Sequence, residues 1–291
     1  MNGIVVIDKP QGMTSHDVVS FLRRKTGVKR VGHSGTLDPM ATGVLPVFIG
    51  KATRVIEYSG KPLDTEAKLY SCKMTLGIET DTQDIWGTVL ERSAIKPEIS
   101  TIEEALKSFE GPGKQKPPMY SAVKVEGRKL YEYARKGAAV NEGAIKDREI
   151  YIKHIDVNGI DTVSGEVIFS VLCSKGVYIR TLCSDAGRLL GCGAAMSGLR
   201  RLKSDGFSIE RAVSPDAFKE EDLLPVDEPL YWLARADADE KDAAAFAQGR
   251  AFMARVDIPS GSIVRVYSRD VFIGIGKMTD GAGIKPVKVL L

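Results

Sequence analysis

The stretch Gly32-His33-Ser34-Gly35-Thr36-Leu37-Asp38-Pro39-Met40-Ala41-Thr42-Gly43-Val44-Leu45-Pro46-Val47 governs how the rest of this chain is read. It holds three glycines, two prolines and a single acid. Glycine opens backbone conformations closed to other residues, and Pro39 restricts the chain directly after Asp38. A rigid loop presenting one carboxylate suits a nucleophile or general base. Asp before Pro also caps turns, and on the loop's chemistry alone that reading is the stronger. Gly32-x-x-Gly35 lacks the phosphate-cradling G-x-x-x-x-G-K-[ST] pattern, so nucleotide hydrolysis is unsupported. Ser34, His33 and Asp38 crowd one loop too closely for triad geometry, and no G-x-S-x-G elbow exists.

Outward from this segment, residues 28 to 50 read as a Gly-rich ordered loop with little helix. Before it, Gly3 to Ile7 reads as a strand ending in the turn Asp8-Lys9-Pro10-Gln11-Gly12. Thr14-Ser15-His16-Asp17 has the S/T-x-x-D spacing of a capping box, opening a helix with Val18, Phe21 and Leu22 on its apolar face and Gly27 at its end. Downstream, 68 to 77 and 165 to 172 read as strands. Ser100 to Phe109, Lys129 to Lys136 and Thr181 to Leu190 read as helices. Strands and helices do not alternate strictly, so an α+β fold with a mixed or antiparallel sheet is expected.

Composition shifts near residue 215. Pro215 to Asp242 carries ten acidic residues against Lys219, Arg235 and Lys241. After a helical stretch, Asp239 to Gln248, come β-like runs at Ile263 to Tyr267, Val271 to Ile275 and Pro286 to Leu290. A small β-rich module therefore closes the chain, and a division into 1–230 and 231–291 is expected.

The chain of 291 residues is 43% hydrophobic and 27% charged, ordinary for a globular protein, and its net charge is +3. The charge is unevenly spread: residues 1 to 60 hold eight Lys/Arg against four acids, and residues 114 to 136 hold seven against two. Tyr120, Tyr131 and Tyr133 lie in the second stretch. Basic residues interleaved with aromatics suit a phosphate backbone with bases to stack, although a solvated helix face has the same composition. No run approaches the roughly eighteen apolar residues of a membrane span, and the N-terminus reads as a strand rather than a signal peptide. Cys72, Cys173, Cys183 and Cys192 show no metal-ligand spacing, so reduced thiols, a cytoplasmic location and no membrane association are expected.

The segment from Gly32 to Pro46 resembles the catalytic motif of the TruB family of tRNA pseudouridine synthases. Other stretches agree in order: residues 8 to 15, Tyr70 ahead of Leu76-Gly77, Pro117 to Lys124, Cys173 to Thr181, and Leu199-Arg200-Arg201-Leu202. The C-terminal module is similar to the family's PUA-like RNA-binding domain. The resemblance implies isomerisation of uridine to pseudouridine in the T-loop of tRNA, at position 55, with no cofactor and no metal. It assigns Asp38 to act at C1′, by attack or by removing a C2′ proton. Arg180 pairs with that aspartate, Tyr178 and Tyr70 line the uracil pocket, and Leu199 contacts the base. His33 fills the space that the flipped base leaves. Without the resemblance, each of these side chains would pass as core, as a surface ion pair or as a loop histidine. Lys9, Lys124, Arg128 and Lys129 are the candidates for phosphate contacts. A monomer is expected. A guide-RNA-dependent synthase subunit and a catalytically inactive RNA-binding or chaperone protein are the alternatives.

Overall fold

The structure is a computed structural model that describes every residue except Pro62, Leu63, Thr65, Ala139, Ala254 and Val256, with Glu142 described by its backbone alone. The chain divides into two compact units, one of Met1–Pro39, Gly43–Pro62 and Asp205–Leu291, the other of Met40–Thr42 and Leu63–Ser204.

The first unit begins with β1 (Gly3–Lys9), α1 (Ser15–Thr26), β2 (Val31–His33) and β3 (Thr42–Ile49), and a 3-10 helix follows at Gly50–Tyr58. β1 and β2 both run antiparallel to β3, with Val6 opposite Pro46 and His33 opposite Val47. α1 has the expected capping box: the Thr14 hydroxyl accepts from the Asp17 N–H, and the Asp17 carboxylate accepts from the Thr14 N–H. Gly27 ends it in the left-handed conformation, φ 69°, which glycine adopts without penalty.

The second unit holds β4 (Lys68–Leu76), β5 (Ile78–Thr80), β6 (Val89–Arg92), α2 (Ile99–Lys107), β7 (Gly111–Gln115), β8 (Lys124–Val125), β9 (Arg128–Lys129), α3 (Leu130–Arg135), β10 (Arg148–Asp161), β11 (Glu166–Cys173), α4 (Ile179–Leu189) and β12 (Ala194–Ser204). Its sheet has the order β12-β4-β11-β10-β7, antiparallel throughout. α4 packs on β12 and β4. β8 and β9 form a hairpin whose two turn residues, Glu126 (φ 52°) and Gly127 (φ 81°), both have positive φ. That backbone twist matches the twist of the paired strands.

The chain then returns to the first unit with β13 (Phe207–Ser208), β14 (Ala234–Asp237), α5 (Glu240–Ala247), β15 (Phe252–Met253), β16 (Ile263–Ser268), β17 (Val271–Met278) and β18 (Gly283–Val289). A five-stranded sheet has the order β14-β16-β17-β18-β15; β14 is parallel to β16 and the remaining pairs are antiparallel. Phe246 of α5 meets Phe252 edge-on at 6.1 Å within its core. A second apolar cluster joins Leu230, Leu233 and Ile275 to Ile4, Val6, Val44 and Phe48 of β1 and β3.

The α+β architecture with a β-rich C-terminal region is the one expected, and among the described residues α1 to α5 fall within two residues of their expected spans. The strand content of residues 28 to 50 was not expected. β3 is buried from Gly43 to Ile49, and its Gly43 and Pro46 are residues that usually argue against a strand. β10 is masked in the sequence by Arg148, Glu149, Lys153, His154 and Asp156, which leave only a broken alternation.

Candidate active site

Asp38 is half-buried on the loop between β2 and β3, and its two neighbours are anchored. Ser15, at the first position of α1, donates its hydroxyl to the Leu37 carbonyl at 3.1 Å and accepts the Leu37 N–H at 2.9 Å. The Pro39 carbonyl accepts from the Gly12 N–H at 2.8 Å and from Lys9 Nζ at 3.3 Å. A carboxylate between two pinned residues loses little freedom on reaching a reactive position, which is how a rigid support serves chemistry.

Lys9 is the one candidate that the structure relocates. Its side chain is fully buried, and Nζ also donates to the carbonyls of Met13 at 2.6 Å and Pro10 at 2.9 Å. A buried ammonium satisfied by three carbonyls is an internal staple of the loop, with no face for a phosphate. His33 ends β2, half-buried.

The second unit gathers four candidates around α4. Tyr70 on β4 is 8% exposed and sits opposite Arg201 of β12, while Leu199 sits opposite Cys72 of β4. Directly opposed residues share a face, and alternate residues of a strand do too. Tyr70, Cys72 and Leu199 therefore lie on one face of the sheet. α4 covers that face, since Cys183 Sγ lies 3.7 Å from Cys72 Sγ. Tyr178 is the N-cap residue of α4, and Arg180 is its second residue.

Arg180 is buried, and its guanidinium is tied into a neighbouring turn. Nη1 donates to the Thr82 carbonyl at 3.1 Å and lies 3.6 Å from Asp84 Oδ2; Nη2 donates to the Tyr120 carbonyl at 2.8 Å. Asp84 is also buried, and its other oxygen accepts from the Thr82 hydroxyl at 2.8 Å and the Trp86 N–H at 3.1 Å. The adjacent Thr181 donates to Gln83 Oε1 at 2.9 Å. Asp84 and Thr82 escaped the sequence reading because Asp81-Thr82-Gln83-Asp84 has only the signature of a turn. Gln115, at the end of β7, grips the backbone of Tyr178 and was missed as well.

Of the remaining basic candidates, Lys124 and Lys129 face each other across the β8–β9 hairpin and Arg128 stands beside them. Lys129 Nζ lies 5.4 Å from the centre of the Tyr131 ring, and Arg135 is 5.3 Å from the same ring. Val125 and Leu130 anchor this basic and aromatic surface in a small apolar cluster with Ile145. All four cysteines are buried; burial pushes the Cys72 thiol well up and the Cys173 thiol to about 12, which disfavours a thiolate at either of those two.

The family model described as "TruB family pseudouridylate synthase (N terminal domain)" matches residues 23–179. This chain belongs to the TruB family. Two further models of the family match its later part: "tRNA pseudouridylate synthase B C-terminal domain" over 180–230 and "Pseudouridine synthase II TruB, C-terminal" over 238–290. The chain is 44% identical over 286 residues to tRNA pseudouridine synthase B of Alkaliphilus oremlandii, covering 95% of this chain and 93% of that one. It is 40% identical to tRNA pseudouridine synthase B of Clostridium tetani, covering all of both. Among solved structures, a chain from "Crystal Structure of a Cbf5-Nop10-Gar1 Complex" matches with a TM-score of 0.73 and 26% identity, over 99% of this chain and 85% of that one.

Proposed function

We propose that this protein isomerises uridine to pseudouridine in the T-loop of tRNA, at position 55. The N1–C1′ bond breaks, the uracil turns over, C5 joins C1′, and the C5 proton returns to solvent as N1 gains one. Atoms and electrons balance without an external reagent. The target base must leave its stack, at a cost of a few kcal/mol, before any side chain can reach it. Asp38 acts at C1′, and the pinning of Leu37 and Pro39 on either side of it is the observation that carries this reading. Arg180 is the cation that partners the Asp38 carboxylate in this reading, a role that suits the planar guanidinium. Tyr178 lies against the ring where the C5 proton is lost, Tyr70 stacks on the base and Leu199 contacts it. His33 fills the gap left in the loop.

Lys124, Arg128 and Lys129 bind RNA phosphates from their hairpin, a role supported by the pairing of Lys124 with Lys129, the exposure of Arg128 and the aromatic ring beside Lys129. Residues 1–230 form the catalytic domain and 231–291 a PUA-like RNA-binding domain, and the protein works as a cytoplasmic monomer. Among the described residues no helix is long and apolar enough to cross a membrane. Relatives named tRNA pseudouridine synthase B match 95–100% of the chain at 40–44% identity, which supports tRNA as the substrate.

Tritium release from C5-labelled uridine in a tRNA transcript tests the proposal, using the purified chain alone. Release at a rate that depends on Asp38 supports it. Release only when partner proteins and a guide RNA are added would transfer the chain to the guided class. Binding without release would make it an RNA-binding protein.

A further inference from the structure

We infer that Gln115 is a positioning residue for the isomerisation: it clamps the backbone of Tyr178 and so sets where the phenol stands. The inference rests on the placement of Tyr178 in the active site proposed above. Gln115 is the last residue of β7, the edge strand of its sheet, and its side chain is buried. Nε2 donates to the Tyr178 carbonyl at 2.9 Å, and Oε1 accepts the Tyr178 N–H at 2.7 Å. One side chain thus pairs with both backbone groups of one residue, as a neighbouring antiparallel strand would. The match requires Tyr178 to be extended, and its φ of −95° and ψ of 108° are extended. Ile179, immediately after it, begins the helix.

This is a demanding position. The Tyr178 carbonyl already accepts the Leu182 N–H at 3.0 Å as the first bond of α4, and Tyr178 makes no side-chain cap of its own. Its N–H precedes the helix and has no partner there, so Gln115 supplies the acceptor. The segment leading to it, from Ser174, is held at its other end by two bonds to Tyr151: the Ser174 N–H donates to the Tyr151 carbonyl at 2.8 Å, and the Ser174 hydroxyl accepts the Tyr151 N–H at 2.9 Å. Between these anchors Lys175 and Gly176 are exposed. Without Gln115 the Tyr178 N–H loses its acceptor, and rotation at Tyr178 ψ swings the ring while α4 stays in place. Only a primary amide offers one donor and one acceptor at this spacing; asparagine is one methylene short and glutamate carries no donor when ionised.

The test is single-turnover pseudouridine formation in a tRNA transcript by Gln115→Ala and Gln115→Met. The Met variant preserves volume, so it stays folded if the smaller side chain does not. The expected rate loss is about 10- to 100-fold, the scale of a misplaced reacting group, with tRNA affinity unchanged to within about two-fold. Amide exchange over residues 174–182 should quicken in both variants. A Tyr178→Leu chain, alone and combined with Gln115→Met, separates the two readings. If Gln115 acts through Tyr178, adding its substitution to Tyr178→Leu costs no further rate, whereas a general loss of stability would multiply through. Wild-type turnover in Gln115→Met beside an impaired Tyr178→Leu overturns the clamp. Wild-type turnover in Tyr178→Leu itself overturns the placement of Tyr178, and the clamp with it.

Discussion

Asp38 stands between two residues whose backbone is held by Ser15, Gly12 and Lys9, so exchanging its carboxylate for an amide alters chemistry and leaves shape. Asp38→Asn is expected to lower single-turnover pseudouridine formation by several orders of magnitude with tRNA affinity intact. Turnover within about tenfold of the native rate would remove Asp38 from the reaction. Arg180 is a different case, because it shares a buried environment with Asp84. Removing one member of a buried ion pair costs roughly 3–5 kcal/mol, so Arg180→Met is expected to lower the thermal midpoint as well as the rate. Adding Asp84→Asn should return part of the midpoint and none of the turnover. Arg180→Lys should retain a fraction of the rate, since an ammonium lacks the planar fork that reaches the Thr82 and Tyr120 carbonyls together. Melts beside single-turnover rates decide the matter; native turnover in the Met chain would refute the assignment.

Among the elements, the β8–β9 hairpin has its consequence in salt. If Lys124, Arg128 and Lys129 bind phosphates, changing each to Ala should weaken tRNA binding and lower the slope of log K against log salt by about one per residue. An unchanged slope in the triple variant would clear the hairpin of RNA contact. α1 has its consequence in pH. The Asp17 carboxyl is held below its ordinary 3.8, chiefly by the Thr14 hydroxyl and then by the Thr14 N–H. A depressed folded pKa contributes stability that is present above 3.8 and lost as pH falls through the folded value. The difference in thermal midpoint between the native chain and Asp17→Ala should therefore be largest near neutrality and shrink below pH 3.8. A pH-independent difference would place the effect in packing.

For the molecule as a whole, the proposed division at residue 230 falls inside one compact unit, since residues 205–291 group with the N-terminal segments. Leu233 and Ile275 are buried with Ile4, Val6 and Phe48, so a chain ending at 230 uncovers apolar surface on β1 and β3. Full burial of one such side chain is worth about 1.5–3 kcal/mol. The truncated chain should melt at a lower temperature and bind tRNA more weakly than the full chain. Unchanged affinity in the folded fraction would refute an RNA-binding role for residues 231–291.

Local patterns determine much of this protein on their own. Thr14 and Asp17 announce α1 because a capping box is satisfied within four residues, and Gly27 ends it because the left-handed conformation is a property of glycine. The periodicity of residues 263 to 275 announces β16 and β17 for the same local reason. Asp38 was visible as the lone acid of a constrained loop, but its proposed role was legible only through the family's motifs, since an isolated Asp-Pro reads more strongly as a turn. Tertiary structure alone decided the rest. Pro46 lies inside a buried strand because β1 and β2 surround it, against its own propensity. Lys9 turned inward because the Pro39 carbonyl, 30 residues away in sequence, converges with the nearby Pro10 and Met13 carbonyls on its ammonium. Asp84 and Gln115 reach the α4 terminus across 96 and 63 residues of chain, and the hydrogen bonds that give them their roles leave no trace in local sequence because the partners are brought together only by the sheet.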